Sequence, residues 1–383
     1  MSSFCLAYSK LISAAVAADC ADNYDHDRFG PPPRNAFDAK ALLKRILGKI
    51  GLVSVDRVSG DLRAGLSFIE PHSAQLEWLY AQLGDQESRD LLVSLMAFRA
   101  LGHRKVKLPT NTPEYWQGIE RAKKLSLDED DLDLGFRGFR AVRMNLRELG
   151  YPITLYFVPF AVHIQFVMQP YRCGGSDKPI EATAGDVVLD CGGCYGDTAL
   201  YFAHKVGQQG KVLSFEFVPA NLEILRKNVD LNPSLKPTIR LVEAPVSDKS
   251  GHELFLEGSG PGTRIVPKPS SVGAASVRTV AIDDVVEREN LERVDFVKMD
   301  IEGSELAALQ GAEKTLRKFR PTLAVSVYHN LSDFWTIPQY LDSLGLGYRF
   351  YLRHFTIHAE ETVLFAVADE REQPVSEASL RAS

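Results

Sequence analysis

The segment VVLDCGGCYGDT, residues 187–198, brings together Asp190, two cysteines and three glycines, all residue types that can do chemistry or hold a ligand. Its aliphatic start predicts a buried strand that ends in Asp190, and a helix is expected to begin near residue 197. Glycine permits positive φ angles and the close backbone approach that a bound ligand requires. We therefore expect Gly192, Gly193 and Gly196 to form a ligand-binding turn after the strand.

A second acid, Glu216, makes this interpretation more specific. It lies in the next aliphatic run, KVLSFEF, and follows Gly196 by 20 residues. A carboxylate about 20 residues after such a turn, at the end of the next strand, can accept hydrogen bonds from the two hydroxyls of a ribose. An ordinary exposed glutamate at a strand end is the simpler alternative, but strand, turn, helix, strand and acid follow one another in the required order. The sequence predicts a ligand that contains a nucleoside.

Cys191 and Cys194 could instead be zinc ligands or a redox pair. A structural zinc site needs about four ligands, usually in matched pairs, and the sequence has no second CxxC motif. A dithiol at a helix start has a physical basis, because the helix N-terminus lowers a thiol pKa. However, a bound cofactor should cover these glycines. We interpret both cysteines as small spacer residues, and the reactivity of Cys194 in the uncovered turn stays open.

Candidate catalytic residues follow two further aliphatic runs. Asp300 and Glu302 come directly after VDFVKM, and His329 follows TLAVSV by one residue. A carboxylate or imidazole at a strand end could accept the proton of a hydroxyl nucleophile. The alternatives are acids that cap the next helix and a histidine buried in the core. Asp300 with His329 could also hold a divalent ion, but no third ligand is evident, so no metal site is predicted.

The elements that must position these residues alternate between short apolar runs and amphipathic stretches, which predicts a doubly wound, mostly parallel sheet. Only HFTIHAEE separates the last two runs, too short for a crossover helix, so that pair should be antiparallel. The predicted fold is the α/β, Rossmann-like class I methyltransferase fold with a terminal antiparallel hairpin. Its seven strands are expected at 186–190, 211–217, 239–243, 294–299, 322–327, 348–353 and 362–368.

The rest of the chain differs in composition and in the spacing of its apolar residues. Residues 21–36 are polar and rich in proline, and the apolar residues of 37–147 mostly have the spacing of helices. The acidic run 125–135 is typical of a loop or helix start. The aromatic run that begins at residue 151 favours strands. The predicted organisation is a flexible arm at 1–36, a mainly helical region at 37–147, the catalytic domain at 148–369 and a disordered tail at 370–383.

Composition limits the partners. The 383 residues carry a formal net charge of −6, which argues against a nucleic-acid surface, and no apolar run could cross a bilayer. The apolar stretch LISAAVAA is short and is better interpreted as a helix than as a cleaved signal. Five scattered cysteines favour a reducing compartment. A cytoplasmic protein with a small or neutral partner is expected, and its oligomeric state is not predicted.

An ordered series of motifs resembles the FkbM-type S-adenosylmethionine-dependent methyltransferases. The series covers roughly 165–368 and consists of VVLDCGGCYGDTALYFA, FEFVPANLEILRKNV, VDFVKMDIEGSELAALQGAEKTL, RPTLAVSVYHN and YLRHFTIHAEETVLFA. The resemblance implies S-adenosylmethionine as the methyl donor. It also implies O-methylation of a hydroxyl, commonly on a sugar of a glycan or on a secondary metabolite.

The resemblance also implies roles for single residues. Asn221 would lie near the ribose, Glu243 and Ala244 would border the adenine, and the family more often has Ala-Asn where this chain has Gly193-Cys194. An NAD-dependent oxidoreductase and a non-catalytic binding protein on the same scaffold are the alternatives. The G-G-x-x-G spacing of the turn and the terminal antiparallel pair count against the oxidoreductase. The remaining cofactor-binding residues would be Asp190, Gly192, Gly196 and Glu216.

Overall fold

The computed structural model of the chain describes residues 3–18, 20, 23–30, 57–136, 138–174, 179–269 and 275–368. The predicted tail at 370–383 and residues 31–56 lie outside the described residues. Contacts divide the chain into two units. One consists of Met1–Ser126, Val158–Pro170 and Leu352–Thr362, and the other of Leu127–Phe157, Tyr171–Tyr351 and Val363–Ser383.

The first unit is mainly helical. Its first helix buries Phe4, Tyr8 and Ile12, which lie four residues apart on one face. Residues 3–15 of the predicted flexible arm are therefore a packed helix, because this apolar stripe is buried. The polar composition that predicted a flexible arm belongs to the residues that follow the helix. The helices are α1 Ser3–Ala15, α2 His26–Phe29, α3 Arg57–Ile69, α4 Ser73–Gln82, α5 Gln86–Leu101, α6 Pro113–Lys123 and α7 Pro159–Val162.

The acidic run predicted as a loop or helix start is a strand, β1 Ser126–Asp133, which forms a three-stranded sheet with β2 Arg140–Asn145 and β3 Thr154–Phe157. The helical region predicted at 37–147 thus extends only to Lys123 among the described residues. Arg140 binds the Asp131 carboxylate across the β1–β2 hairpin, which offsets part of the negative charge of this strand.

The aromatic run that begins at residue 151 is only partly extended. After β3, the chain turns into α7 at Pro159 and continues as a π-helix, His163–Met168. Proline suits the first position of a helix, because its fixed φ angle is helical and its missing N–H needs no partner there. The prediction of strands over this whole run is therefore wrong after Phe157.

The predicted seven-stranded sheet is present, in the order β12-β13-β11-β10-β4-β5-β6. β4 lies between β5 and β10 and pairs with both in parallel, whereas β13 runs antiparallel to β11. The seven-stranded fold with its reversed last strand is confirmed. The strands are β4 Val187–Cys191, β5 Lys211–Phe215, β6 Ile239–Val242, β10 Phe296–Met299, β11 Thr322–Ser326, β12 Tyr348–His354 and β13 Thr362–Ala368.

The central strands read as continuous apolar runs because helices cover them; all four residues of β10, for example, are buried. Because β4 and β10 are parallel neighbours, the loops that follow them emerge at the same edge of the sheet. The helices of this unit are α8 Asp197–Val206, α9 Pro219–Asp230, α10 Ile282–Arg288, α11 Glu305–Gln310, α12 Glu313–Phe319 and α13 Asp333–Ser343.

A small antiparallel sheet, not predicted from the sequence, is inserted between β6 and β10. It consists of β7 Glu253–Glu257, β8 Arg264–Val266 and β9 Ser276–Arg278, in the order β8-β7-β9. A short 3₁₀ turn, Gly260–Gly262, connects β7 to β8. Among all the helices described, none combines the length and the apolar character needed to cross a membrane.

Candidate active site

Asp190 lies near the carboxyl end of β4 and is completely buried. Its carboxylate accepts hydrogen bonds from the hydroxyls of Thr198, at 2.9 Å, and Ser214, at 2.8 Å. The ammonium nitrogen of Lys298, from the adjacent strand β10, lies 3.2 Å from the other carboxylate oxygen. The sequence singled out Asp190, but not the three residues that hold it. These contacts make Asp190 a support of the turn.

Lys298 is a buried cation that links the ends of β4 and β10. Its Nζ donates to the carbonyl oxygens of Cys191, at 3.1 Å, and Gly192, at 2.5 Å. Burial opposes its positive charge, but the carboxylates of Asp190 and Asp300 outweigh burial and raise the pKa of Lys298. Lysine is rarely buried without a partner. The apolar run VDFVKM hid this residue from the sequence analysis.

The glycines of the turn are required by its packing. Gly192 has a φ angle of +90°, and a Cβ atom there would lie 2.0 Å from the backbone oxygen of Asp300. A Cβ atom on Gly193 would lie 2.2 Å from the Ser214 hydroxyl oxygen. Gly196, with a φ angle of +85°, immediately precedes α8. These positions exclude larger side chains before any ligand is considered.

Glu216 follows β5 and is held by its own chain. One carboxylate oxygen accepts the backbone N–H groups of Phe217, at 2.6 Å, and Val218, at 2.7 Å, and the Asn221 amide lies 3.4 Å from the other oxygen. Burial raises the pKa of Glu216, and these hydrogen bonds act against the rise. The carboxylate is thereby fixed in the wall of a cavity.

This cavity lies at the carboxyl ends of the strands and opens to solvent. Glu243 is exposed outside it, with its carboxylate 2.5 Å from the Arg226 guanidinium. Of the residues singled out from the sequence, the lining contains Gly192, Cys194, Glu216, Asn221, Ala244, Asp300 and Glu302 but not Asp190, Cys191, Gly193, Gly196, Glu243 or His329. The inserted sheet contributes Gly260, Pro261, Thr263, Arg264 and Ile265, which no sequence signal indicated.

Asp300 and His329 lie together beside the cavity. The Nε2 atom of His329 is 3.3 Å from an Asp300 oxygen, which also accepts the Tyr328 hydroxyl at 3.1 Å. On the other side of the ring, Nδ1 is 3.0 Å from a carboxylate oxygen of the fully buried Glu305. Glu305 was not predicted from the sequence, although it lies at the start of the helix that follows MDIEG. The structure thus brings two of the predicted catalytic residues together with an unpredicted acid.

The charge around His329 changes what this residue can do. Burial lowers its pKa, but the carboxylates of Glu305, Asp300 and Glu302 outweigh burial and raise the pKa to about 10. These carboxylates therefore stabilise the protonated imidazole, which acts against a role for His329 as the general base. Glu302, whose Oε2 lies 3.8 Å from His329 Nε2, adopts a φ angle of +56°. Non-glycine residues in this region are uncommon and concentrate at functional sites.

The cysteines of the turn are not activated thiols. Cys191 and Cys194 are both free, and Cys191 is completely buried. Burial raises the pKa of each thiol, and nearby carboxylates raise it further. Because the thiolate is the reactive form, these shifts act against a redox pair.

We therefore expect neither Cys191 nor Cys194 to react rapidly with iodoacetamide at pH 7 in the folded protein. Peptide mass spectrometry after timed alkylation would check this, with the urea-unfolded chain as the fully labelled control. Labelling of Cys194 in the folded protein at the rate of the unfolded chain would contradict the raised pKa of its thiol.

Comparison with known proteins points to one family. Residues 190–350 match the family described as the methyltransferase FkbM domain. The hexuronic acid methyltransferase AglP of Haloferax volcanii is 29% identical over 137 residues, a match that covers 36% of this chain and 54% of AglP. Methyltransferase sdnD of Sordaria araneosa is 25% identical over 158 residues, covering 33% of this chain and 60% of sdnD.

The chain thus spans little more than half the length of either relative. A crystal structure of methyltransferase FkbM from Methylobacillus flagellatus KT is 17% identical, with a TM-score of 0.49, and the match covers 90% of this chain and 72% of that chain. The family match confirms the resemblance predicted from the sequence: the segment from residue 190 to residue 350 is similar to the methyltransferase FkbM domain.

Proposed function

We propose that the protein is an S-adenosylmethionine-dependent O-methyltransferase that acts on a hydroxyl of a carbohydrate or secondary-metabolite acceptor. One observation carries the proposal: a cavity in an FkbM-family domain has Glu216 in its wall, with Asp300 and Glu302 beside it. A ribose-binding acid and a pair of acids near the reacting atoms suit a cofactor that joins a nucleoside to a cationic sulfur.

The residues of the cavity fit this cofactor. The fixed Glu216 carboxylate would accept the ribose hydroxyls, with Asn221 beside it and Ala244 bordering the adenine. Gly192 would bring backbone close to the amino-acid end, and Asp190, Gly193 and Gly196 would hold that turn in shape. Glu243 lies outside the cavity wall, where it pairs with Arg226, so the adenine would contact Ala244 and not Glu243.

Asp300 and Glu302 would act on the reacting centre. The bound cofactor supplies an electrophilic methyl group on a positively charged sulfur. A carboxylate 4 Å from such a charge contributes about 4 kcal/mol at an effective dielectric of about 20, before desolvation. The acceptor oxygen must also lose its proton, and Asp300 or Glu302 would accept it at a carboxylate oxygen. His329, charged in the isolated site, would hold Asp300 in place.

The choice of acceptor rests on the relatives. AglP is by its name a methyltransferase of hexuronic acid, which supports a carbohydrate acceptor, and a hydroxyl of such an acceptor is the expected nucleophile. The main contribution of the protein would be to align the acceptor oxygen with the methyl group inside the cavity. Positioning of this kind lowers the activation free energy by about 7–11 kcal/mol in well-oriented reactions.

Titration calorimetry with S-adenosylhomocysteine tests the cofactor. We expect Glu216→Gln to bind it about 10- to 100-fold more weakly, because hydrogen bonds to a charged group contribute about 1.5–3 kcal/mol. Glu223→Gln, an exposed glutamate of the same region, is the matched control and should bind as the wild type does.

A folded wild-type protein that binds NADH but not S-adenosylhomocysteine would overturn the proposal in favour of an oxidoreductase. Transfer of a labelled methyl group to a panel of glycans and hydroxylated metabolites then tests the reaction itself. Cofactor binding with no transfer to any acceptor of the panel would favour a binding protein.

A further inference from the structure

We propose that Asp300, Glu305 and His329 form a binding site for a divalent metal cation beside the cavity. Each of these residues offers one ligand atom, and the three atoms lie within 4.8 Å of one another. Two of the three were recognisable in the sequence. The third, Glu305, reaches the site because α11 begins directly after the turn that follows Asp300.

The hydrogen bonding of the cluster is incomplete without a cation. The His329 side chain is only 8% exposed and Glu305 is fully buried. Among the described residues, neither His329 ring nitrogen nor the Oε2 atom of Glu305 has a hydrogen bond of good geometry, although the ring lies 3.0–3.3 Å from carboxylate oxygens. Buried polar atoms rarely lack partners. A cation between the carboxylates and the ring would satisfy these atoms.

The local charge also favours a cation. Glu302 adds a third carboxylate, 3.8 Å from the ring, and Asp333 interacts electrostatically with both Glu305 and His329. Lys298 lies near Asp300, but its ammonium is engaged with Asp190 and two backbone carbonyls. Acids thus outnumber bases around His329. A divalent cation placed among these carboxylates would offset part of their negative charge.

The donor set indicates which cation. Two carboxylate oxygens and one imidazole nitrogen suit Mn²⁺, which accepts both kinds of ligand and completes its coordination with water. Three protein ligands leave open positions, as in catalytic rather than structural metal sites. Asp300 and Glu302 also line the cavity, so a cation could enter from there, and Glu302 could hold a coordinated water.

One consequence rests on the proposed function. An acceptor hydroxyl that takes an open coordination position would become more acidic, as metal-bound water does. Glu302 would then remain to accept its proton. Metal binding itself does not depend on this step and can be measured without a methyl donor.

The site is tested by titrating the chelator-treated full-length protein with Mn²⁺ and monitoring the bound ion by electron paramagnetic resonance. We expect one tightly bound Mn²⁺ per chain and ¹⁴N coupling from the imidazole in the pulsed spectrum. His329→Gln should abolish the ¹⁴N coupling, and Glu305→Gln should weaken binding at least tenfold. Glu313→Gln, which removes a half-exposed carboxylate from the neighbouring helix α12, should bind Mn²⁺ as the wild type does.

Two results would overturn the proposal: a folded wild type that binds no Mn²⁺ at millimolar concentration, or bound Mn²⁺ whose affinity and ¹⁴N coupling survive in His329→Gln. If Glu305→Gln does not fold, Asp300→Asn takes its place, because Asp300 is partly exposed and its loss should also weaken binding tenfold. S-adenosylhomocysteine binding is measured on the same sample. Retained cofactor binding with no Mn²⁺ binding would reject the metal site and leave the proposed function intact.

Discussion

In protein freed of divalent metal, replacement of Asp300 with asparagine is expected to lower the rate of methyl transfer about 10²- to 10⁴-fold, the usual contribution of a general base. The carboxylate lines the cavity, is about one-fifth exposed and lies beside His329. Asparagine keeps its size but removes its charge. Single-turnover transfer to an acceptor identified from the panel would measure the loss.

A second measurement on Asp300→Asn separates electrostatics from shape. S-adenosylmethionine carries the sulfonium charge and S-adenosylhomocysteine does not, so the variant should lose affinity for the former more than for the latter. Glu313→Gln, the half-exposed control, should change neither affinity nor rate. Equal losses of affinity for both ligands would mean that Asp300 does not face the reacting sulfur.

Replacement of Lys298 with methionine is expected to destabilise the protein by about 3–5 kcal/mol, because removal of one partner leaves a buried charge uncompensated. Asp190 has no exposed surface, and the lysine also donates to two carbonyl oxygens at the end of β4. Chemical denaturation monitored by circular dichroism would measure the change. Lys314→Met, at an exposed site on α12, should stay within about 0.5 kcal/mol of the wild type.

The double variant Lys298→Met with Asp190→Asn isolates the ion pair. Neutralising Asp190 removes the unpaired charge, so the double variant should be more stable than Lys298→Met alone. If the two substitutions are simply additive, the attraction between these side chains does not stabilise the fold. This result would conflict with the raised pKa that the neighbouring carboxylates give Lys298.

Much of the sheet was predictable, since each strand of a mostly parallel sheet is a local apolar run bounded by turn residues. All seven predicted strands of this sheet are present, and the short connection before β13 predicted its reversal. The prediction failed where the composition of a segment favours one secondary structure and its tertiary contacts favour another. The acidic run at 126–133 became a strand, and the inserted sheet of β7, β8 and β9 carried no periodic signal long enough to recognise.

Period, spacing and turn chemistry are local properties, so the sheet, the glycine turn and the acids that follow its strands were predictable from the sequence. The contacts of those residues depend on the tertiary structure. It buried Asp190 against Lys298, placed Glu243 outside the cavity and brought Glu305 to His329. Such contacts join side chains from separate strands and helices. The contact between Asp190 and Lys298, for example, requires the register that sets these two residues opposite each other on β4 and β10, which no local pattern encodes.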